Sequence, residues 1–382
     1  MLYFDYAATT PMSTNALNIY TEVAANYFGN PSSLHDIGGE AKQVLEQSRK
    51  KIAECLQTDA SCITFTSGGT ESNLLAIDTL LRASKPMPKK HLITTEMEHS
   101  SIYHYMKSLN QKEDIEVTFL RGNGEGVIDI NTLKKAIKPN TCIVSIQHVN
   151  GETGIMQPVA EIGQLLQEKN IYFHSDAVQS FGKINMKLDQ LPVDCMTFSS
   201  HKIYGPKGVG ALYINSHVPT TPHPVTTNHE SGMRPGTVNV PGIAAFAAAV
   251  TEVIEKLSSN YSHLTNIKNL FIRRLAEENI PLEPLEFNHQ CPSIVGCTNN
   301  YIQGDYVMLE YNRFGVGIST GSACTLGHHE IPRSISVLRP NDGKRFVRFS
   351  FSHLTTEEDI HQLIDISKQI FQRIKEGQAI HG

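Results

Sequence analysis

With 382 residues, 33 Lys and Arg against 38 Asp and Glu, and a formal net charge of −5, the chain has no basic excess with which to neutralise phosphates, which excludes a direct nucleic-acid binder. No apolar run reaches the length of a membrane span, and Met1-Leu2-Tyr3-Phe4-Asp5-Tyr6 lacks the basic start and apolar stretch of a signal peptide, so a cytoplasmic protein without a membrane partner is expected. The length predicts two domains, and seven cysteines without a Cys-x-x-Cys pair fit neither a disulfide framework nor a zinc site.

Asp5-Tyr6-Ala7-Ala8-Thr9-Thr10-Pro11 reads as a short strand entering a polar turn. Helical patterns over 14–27 and 37–56 flank a loop, Phe28 to His35, whose Gly, Asn and Pro break any helix. The strand Cys62-Ile63-Thr64-Phe65 runs into Thr66-Ser67-Gly68-Gly69-Thr70-Glu71-Ser72-Asn73 and an apolar helix start. The free N–H groups and positive dipole end of such a start bind phosphate, and paired glycines let an anion approach; an ordinary cap at Ser67 or Thr70 is the alternative. His91 to Thr95 predicts a strand that ends just before His99, where ligands gather in open α/β sheets. Strands over 115–120 and 142–149, with helices over 131–138 and from Pro158 to 168, give a βαβ rhythm and hence a largely parallel sheet covered on both faces.

The buried strand Ile171-Tyr172-Phe173-His174-Ser175 ends in Asp176. An acid there is costly to bury unless a cation pairs with it, as a protonated pyridine nitrogen would; a helix cap is the plainer reading. Two further strands enclose Ser199-Ser200-His201-Lys202-Ile203-Tyr204-Gly205-Pro206-Lys207-Gly208, a turn rich in Gly and Pro. Such framing suits a lysine held in one place and partly desolvated, and Lys202 is the candidate for an imine to pyridoxal phosphate, the alternative being a lysine that caps a structural turn. After an irregular stretch over 219–224, Arg234-Pro235-Gly236-Thr237 precedes a helix with Ile243, Phe246, Ala247, Val250, Ile254 and Leu257 on one face. The pattern changes near 250–260, and the last helix carries the capping box Thr355 and Glu358.

These stretches, with Ser319-Thr320-Gly321-Ser322-Ala323-Cys324-Thr325, resemble in order and spacing the cysteine desulfurases of the NifS/IscS type, pyridoxal-phosphate enzymes of the class V aminotransferase fold. The resemblance implies a fold type I α/β architecture, with a large, mostly parallel-sheet domain over 15–255. A smaller C-terminal α+β domain, formed by 1–14 plus 256–382, would carry the nucleophile loop. It further implies that Lys202 forms the imine, Asp176 pairs with the pyridine nitrogen, Gln179 bonds the ring hydroxyl, and His99 stacks on the ring and shuttles protons. Gly69, Thr70, Ser199 and His201 would hold the phosphate, helped by Thr237 of the second subunit of a homodimer. Arg348 would clamp the carboxylate of L-cysteine, and Cys324, on a small-residue segment, would take the sulfur as a persulfide.

An acceptor protein for iron-sulfur assembly or thiolation would then receive that sulfur. The chain departs from the family pattern at Gly151, where a second Asn that contacts cofactor or substrate is usual, leaving Asn150 or a water to fill that site. It departs also over 226–231, in place of a glycine-rich stretch, and at His328-His329. A selenocysteine lyase or aminotransferase on the same fold, or a sulfur-transfer scaffold without turnover, is the alternative. Cys324 could equally be a buried loop thiol, and a metal site at Cys324, His328, His329 and Glu330 matches no standard zinc spacing.

Overall fold

The computed structural model describes residues 1–222, 229–321 and 331–381. Apolar runs such as Cys142-Ile143-Val144 and Cys195-Met196 are buried along their whole length, as strands covered on both faces must be. They belong to a seven-stranded sheet in the order Ile63–Thr66, Gly210–Ile214, Cys195–Ser199, Tyr172–Asp176, Thr141–Ser145, Lys90–Thr95, Ile115–Leu120. All neighbours are parallel except Gly210–Ile214, which runs antiparallel to both strands beside it. The sheet is therefore mixed but mostly parallel, and the loops after Thr66, Thr95, Ser145, Asp176 and Ser199 leave from one end of it.

The expected strand over 142–149 is cut short at Ser145. Beyond it the chain stays extended but irregular, Ile146 N donating to His174 O (3.1 Å) and His148 N to Asp176 O (2.9 Å). The early helices, Thr14–Asn26 and Asp36–Leu56, lie within a residue of their expected limits. The last helix, Glu357–His381, is capped one residue later than expected. Thr356 N donates to Asp359 Oδ2 (2.8 Å) and Asp359 N to Thr356 Oγ1 (3.1 Å), whereas Thr355 Oγ1 accepts from Ser352 N (3.1 Å). The hydroxyl of Thr355 is drawn into the preceding turn, so Thr356 and Asp359 make the reciprocal box.

A second apolar core gathers Phe271, Val295, Tyr311, Val347, Phe349 and Ile364 with Phe4 from the other end of the chain. It lies on a three-stranded antiparallel sheet, Phe346–Ser350, Ile294–Thr298 and Glu283–Pro284. Leu2–Tyr3 pairs in parallel with Val316–Gly317, Asp5 bridges Ser350, and Ala7 N donates to Ser350 Oγ (2.9 Å). The N-terminus is thereby drawn across the C-terminal ends of the large sheet's strands. Among the described residues no helix is long and apolar enough to cross a membrane.

One buried ion pair ties the segment before Arg234 to the sheet edge. The Arg49 guanidinium meets Glu230 with two bonds of 2.8 Å and also donates to Ile63 O (2.7 Å), while Phe65 N donates to Glu230 Oε2 (2.6 Å). Glu230 and Ser231 adopt φ of 46° and 53°, a left-handed conformation that this anchoring overcomes. Removing one partner leaves the other charge buried and uncompensated, so Arg49→Met is expected to destabilise the fold by about 3–5 kcal/mol. A urea midpoint unchanged within error would refute that expectation.

Candidate active site

The turn after Ser199 is fixed by backbone geometry. Tyr204 has φ +68°, unusual for a side chain of that size, and is held by its N donating to Thr10 Oγ1 (2.7 Å) and its hydroxyl meeting Ser352 Oγ (2.7 Å). A Cβ at Gly210 would stand 2.6 Å from Gly68 Cα, so glycine there lets the strand after the Lys202 turn press against the loop before helix Gly69–Ala83. That close approach brings the turn and the glycine loop together.

Between them lies a cavity of about 380 Å³, lined among others by Gly68, Gly69, Thr70, Ser199, His201 and Lys207. Gly68 caps the helix without a side-chain bond, leaving the positive end of a 15-residue helix toward the cavity. Ser199 Oγ is buried there without a hydrogen-bond partner. An orphaned hydroxyl, a helix N-terminus, a lysine and two glycines together fit a phosphate group. His201 meets Thr9 Oγ1 through Nδ1 (3.1 Å), and burial followed by the charges of Lys202, Lys207 and Lys183 pushes its pKa down to about 4. Without an anion beside it, His201 is neutral at pH 7.

Asp176 ends its strand almost wholly buried, accepting from Asn73 Nδ2 (2.8 Å) and Val178 N (2.9 Å). Both donors are neutral, so the carboxylate forms no ion pair among the described residues and fits a cationic ring nitrogen. Asn73 also donates to Ser101 Oγ (3.0 Å), which meets His99 Nδ1 (2.8 Å). Because Ser101 N donates to the same Nδ1 (3.2 Å), that nitrogen is the acceptor and the neutral ring carries its proton on Nε2. The His99 pKa is lowered, first by desolvation and then by Lys202 and Arg333, against which Asp176 pulls upward.

The N-terminal segment closes the other side. Lys202 Nζ donates to Ala7 O (2.6 Å) and Ala8 O (2.8 Å), and Gln179 Nε2 donates to Ala7 O (2.9 Å). Arg348, from the middle of Phe346–Ser350, donates to Gly151 O (2.8 Å) and Asp5 Oδ1 (2.7 Å), its Nε buried without a partner. Ser319 exchanges backbone bonds with Arg348 at 3.2 and 2.7 Å, five residues before Cys324 in sequence. Cys324, His328 and His329 lie outside the described residues, as does 223–228.

Lys202, Gln179, His201 and Arg348 thus share one N-terminal strap, while Asp176 and His99 are joined through Asn73 and Ser101. Asn150 is held within its own loop. Its Oδ1 accepts from Glu152 N, Thr153 N and Thr153 Oγ1 (2.9–3.0 Å) and its Nδ2 donates to Met97 O (3.1 Å), so the amide braces the loop that carries Gly151 and retains one Nδ2 hydrogen. Thr237 is exposed on the turn after Arg234, whose guanidinium meets Glu71 (2.9 Å) at the start of the glycine-loop helix. The sequence reading missed Asp5, the carbonyls of Ala7 and Ala8, and Asn73. Only Asn73, polar at a buried helical position in the glycine motif, carried a signal.

The family model described as aminotransferase class-V matches residues 2–363. The chain is 44% identical over 381 residues to a Bacillus subtilis (strain 168) protein whose assignment as the cysteine desulfurase NifS is itself provisional, covering 98% of this chain and 96% of the relative. It is 35% identical to the cysteine desulfurase IscS of Dictyoglomus turgidum, over 98% of this chain and 95% of the other. A solved NifS-like protein superposes with a TM-score of 0.90 at 30% identity, covering 97% of this chain and 99% of that one.

Proposed function

The chain belongs to the class V aminotransferase family as a cysteine desulfurase of the NifS/IscS type, and from that premise we propose that its reaction is carried by Lys202, His99 and Cys324 around pyridoxal phosphate. The single observation that supports this most is the grouping of the Lys202 amine, on the carbonyls of Ala7 and Ala8, with a buried Asp176 carboxylate that meets no cation among the described residues and an anion cradle, lined in part by Ala8, that holds an orphaned hydroxyl.

When bound, the cofactor supplies an electron sink for the substrate carbon. The residues of the chain do the rest. Gly69, Thr70, Ser199 and His201 hold the phosphate, with Thr237 donated by the second subunit of a homodimer. Asp176 keeps the pyridine nitrogen protonated, Gln179 donates to the ring oxygen, and His99 stacks on the ring and moves protons through its Nε2 side. The Arg348 guanidinium takes the carboxylate of L-cysteine, for which its buried Nε leaves a donor. Asn150 serves the substrate site through its loop, by fixing the Gly151 carbonyl that Arg348 meets. The Lys202 amine carries the cofactor and removes the Cα proton. The Cys324 thiolate attacks the substrate sulfur: the C–S bond breaks, an S–S bond forms, and carbon keeps the electron pair and takes up a proton, giving L-alanine and a persulfide.

An acceptor protein of iron-sulfur assembly or of thiolation then takes that sulfur, in the cytoplasm. The homodimer is supported by apolar side chains that one protomer leaves in water, Phe28 at 70% exposure and Leu34 fully exposed, with Leu17 and Ile37 in the same stretch of chain. Two domains, 15–255 and 1–14 plus 256–382, are supported by the separate core that takes in Phe4. Borohydride reduction of the holoenzyme followed by peptide mass spectrometry is expected to find the pyridoxyl group on Lys202; its appearance on another lysine would overturn the assignment.

A further inference from the structure

Lys183 stands four residues beyond Gln179, and its Nζ donates to Gln179 Oε1 at 2.8 Å. The same carboxamide donates through Nε2 to Ala7 O at 2.9 Å, and Ala7 O also receives Lys202 Nζ at 2.6 Å. An ammonium can only donate and a backbone carbonyl can only accept. The two ends of the Gln179 amide are therefore distinguished by their partners: the oxygen must face Lys183 and the nitrogen must face Ala7. The NH₂ group carries a second hydrogen, which Ala7 does not use.

The loop opposite contributes nothing to this orientation. Gly151 has no side chain, and a Cβ built on it would stand 3.2 Å from Gln179 Nε2, closer than such contacts normally come. At Gly151 the chain leaves bare backbone against the amide, and the carbonyl of Gly151 is taken up by Arg348 (2.8 Å). Orientation from the oxygen side rests on Lys183. Burial pushes its pKa down to about 8, with the charge of Arg348 acting in the same direction, so at pH 7 it is still mainly the cation the contact requires.

We infer that Lys183 is a positioning residue, which holds and polarises the Gln179 carboxamide so that its N–H faces the ring oxygen of the cofactor. This rests on the reading of Gln179 given above. A bond from a cation draws electron density toward the amide oxygen and makes the N–H a better donor. A donor on the ring oxygen competes there with the protonated imine nitrogen, so weakening it should let that nitrogen keep its proton to higher pH.

The test is the visible absorption of the bound cofactor titrated with pH in the holoenzyme without substrate. Gln179→Leu and Lys183→Met are each expected to move the midpoint upward by at least about half a pH unit, and Lys183→Arg to keep it near the parent value. The double variant is expected to match Gln179→Leu alone, because Lys183 acts through that amide. Lys183→Gln is a second removal of the charge should the methionine variant not fold. A shift with Gln179→Leu but none with either charge-removing variant overturns the role of Lys183 and leaves Gln179 as read. A double variant shifted by the sum of the two also overturns it. No shift with Gln179→Leu removes the reading of Gln179 and this inference with it.

Discussion

Lys202→Ala is expected to reduce alanine release from L-cysteine by about a thousand-fold or more. In the proposed reaction the amine has two tasks, attachment of the cofactor and removal of the Cα proton, and among the described residues no other side chain at the site is placed for the first. His99 could accept a proton, but its Nδ1 is engaged with Ser101 and it forms no covalent link. Lys183 is committed to Gln179, and Lys207 lies at the phosphate end of the cleft. The fold should survive the change, because Ala7 O keeps Gln179 as a donor and Thr10 N still donates to His201 O (2.9 Å). The measurement is alanine formation together with the visible band of the holoenzyme. A variant that keeps a tenth of the parent rate would mean that the amine at 202 is not the one that works.

How far the sequence led can be judged from particular residues. The loops carrying the glycine motif, Asp176 and Lys202 were legible as the ends of buried strands, Ile63–Thr66, Tyr172–Asp176 and Cys195–Ser199, while the roles expected of them came from the family resemblance. Parallel strands then set these loops at one end of the sheet, so position in sequence translated into position in space. What the strap from Asp5 to Thr10 does was not legible. It works mainly through the carbonyls of Ala7 and Ala8, which every residue possesses, and through an Asp5–Arg348 contact spanning 343 positions. The last helix shows the same limit on a small scale: Thr355 and Thr356 both offer a cap, and only the competing bond from Ser352 to Thr355 decides between them.

Gly151 was legible as a departure but not in its effect. The sequence identified a missing side chain; the geometry adds that a Cβ there would lie against Gln179, and that the Asn150 Oδ1 is engaged in its own turn. Lys183, which meets that amide, carried no signal in the sequence, because the contact depends on the turn geometry after Asp176 rather than on any motif.

Cys324→Ala is expected to abolish alanine formation, by about a thousand-fold or more, while the holoenzyme keeps its cofactor and still changes its spectrum when L-cysteine is added. The separation follows from what each group touches. On the proposed roles, cofactor retention rests on Lys202, Asp176, Gln179 and the phosphate cradle, and substrate binding on Arg348, and the substitution touches none of their hydrogen bonds. Alanine keeps the electron pair of the C–S bond, so the sulfur must pass to a nucleophile such as a thiolate; departure as free sulfide would carry that pair away and would not give alanine. The assay is run without added thiol, since a small external thiol could accept the sulfur and mask the loss. If position 324 were merely a packed thiol, or one ligand among His328, His329 and Glu330, alanine would still accumulate in proportion to cysteine consumed. That accumulation would transfer the nucleophile's role to another group and leave the cofactor site as described.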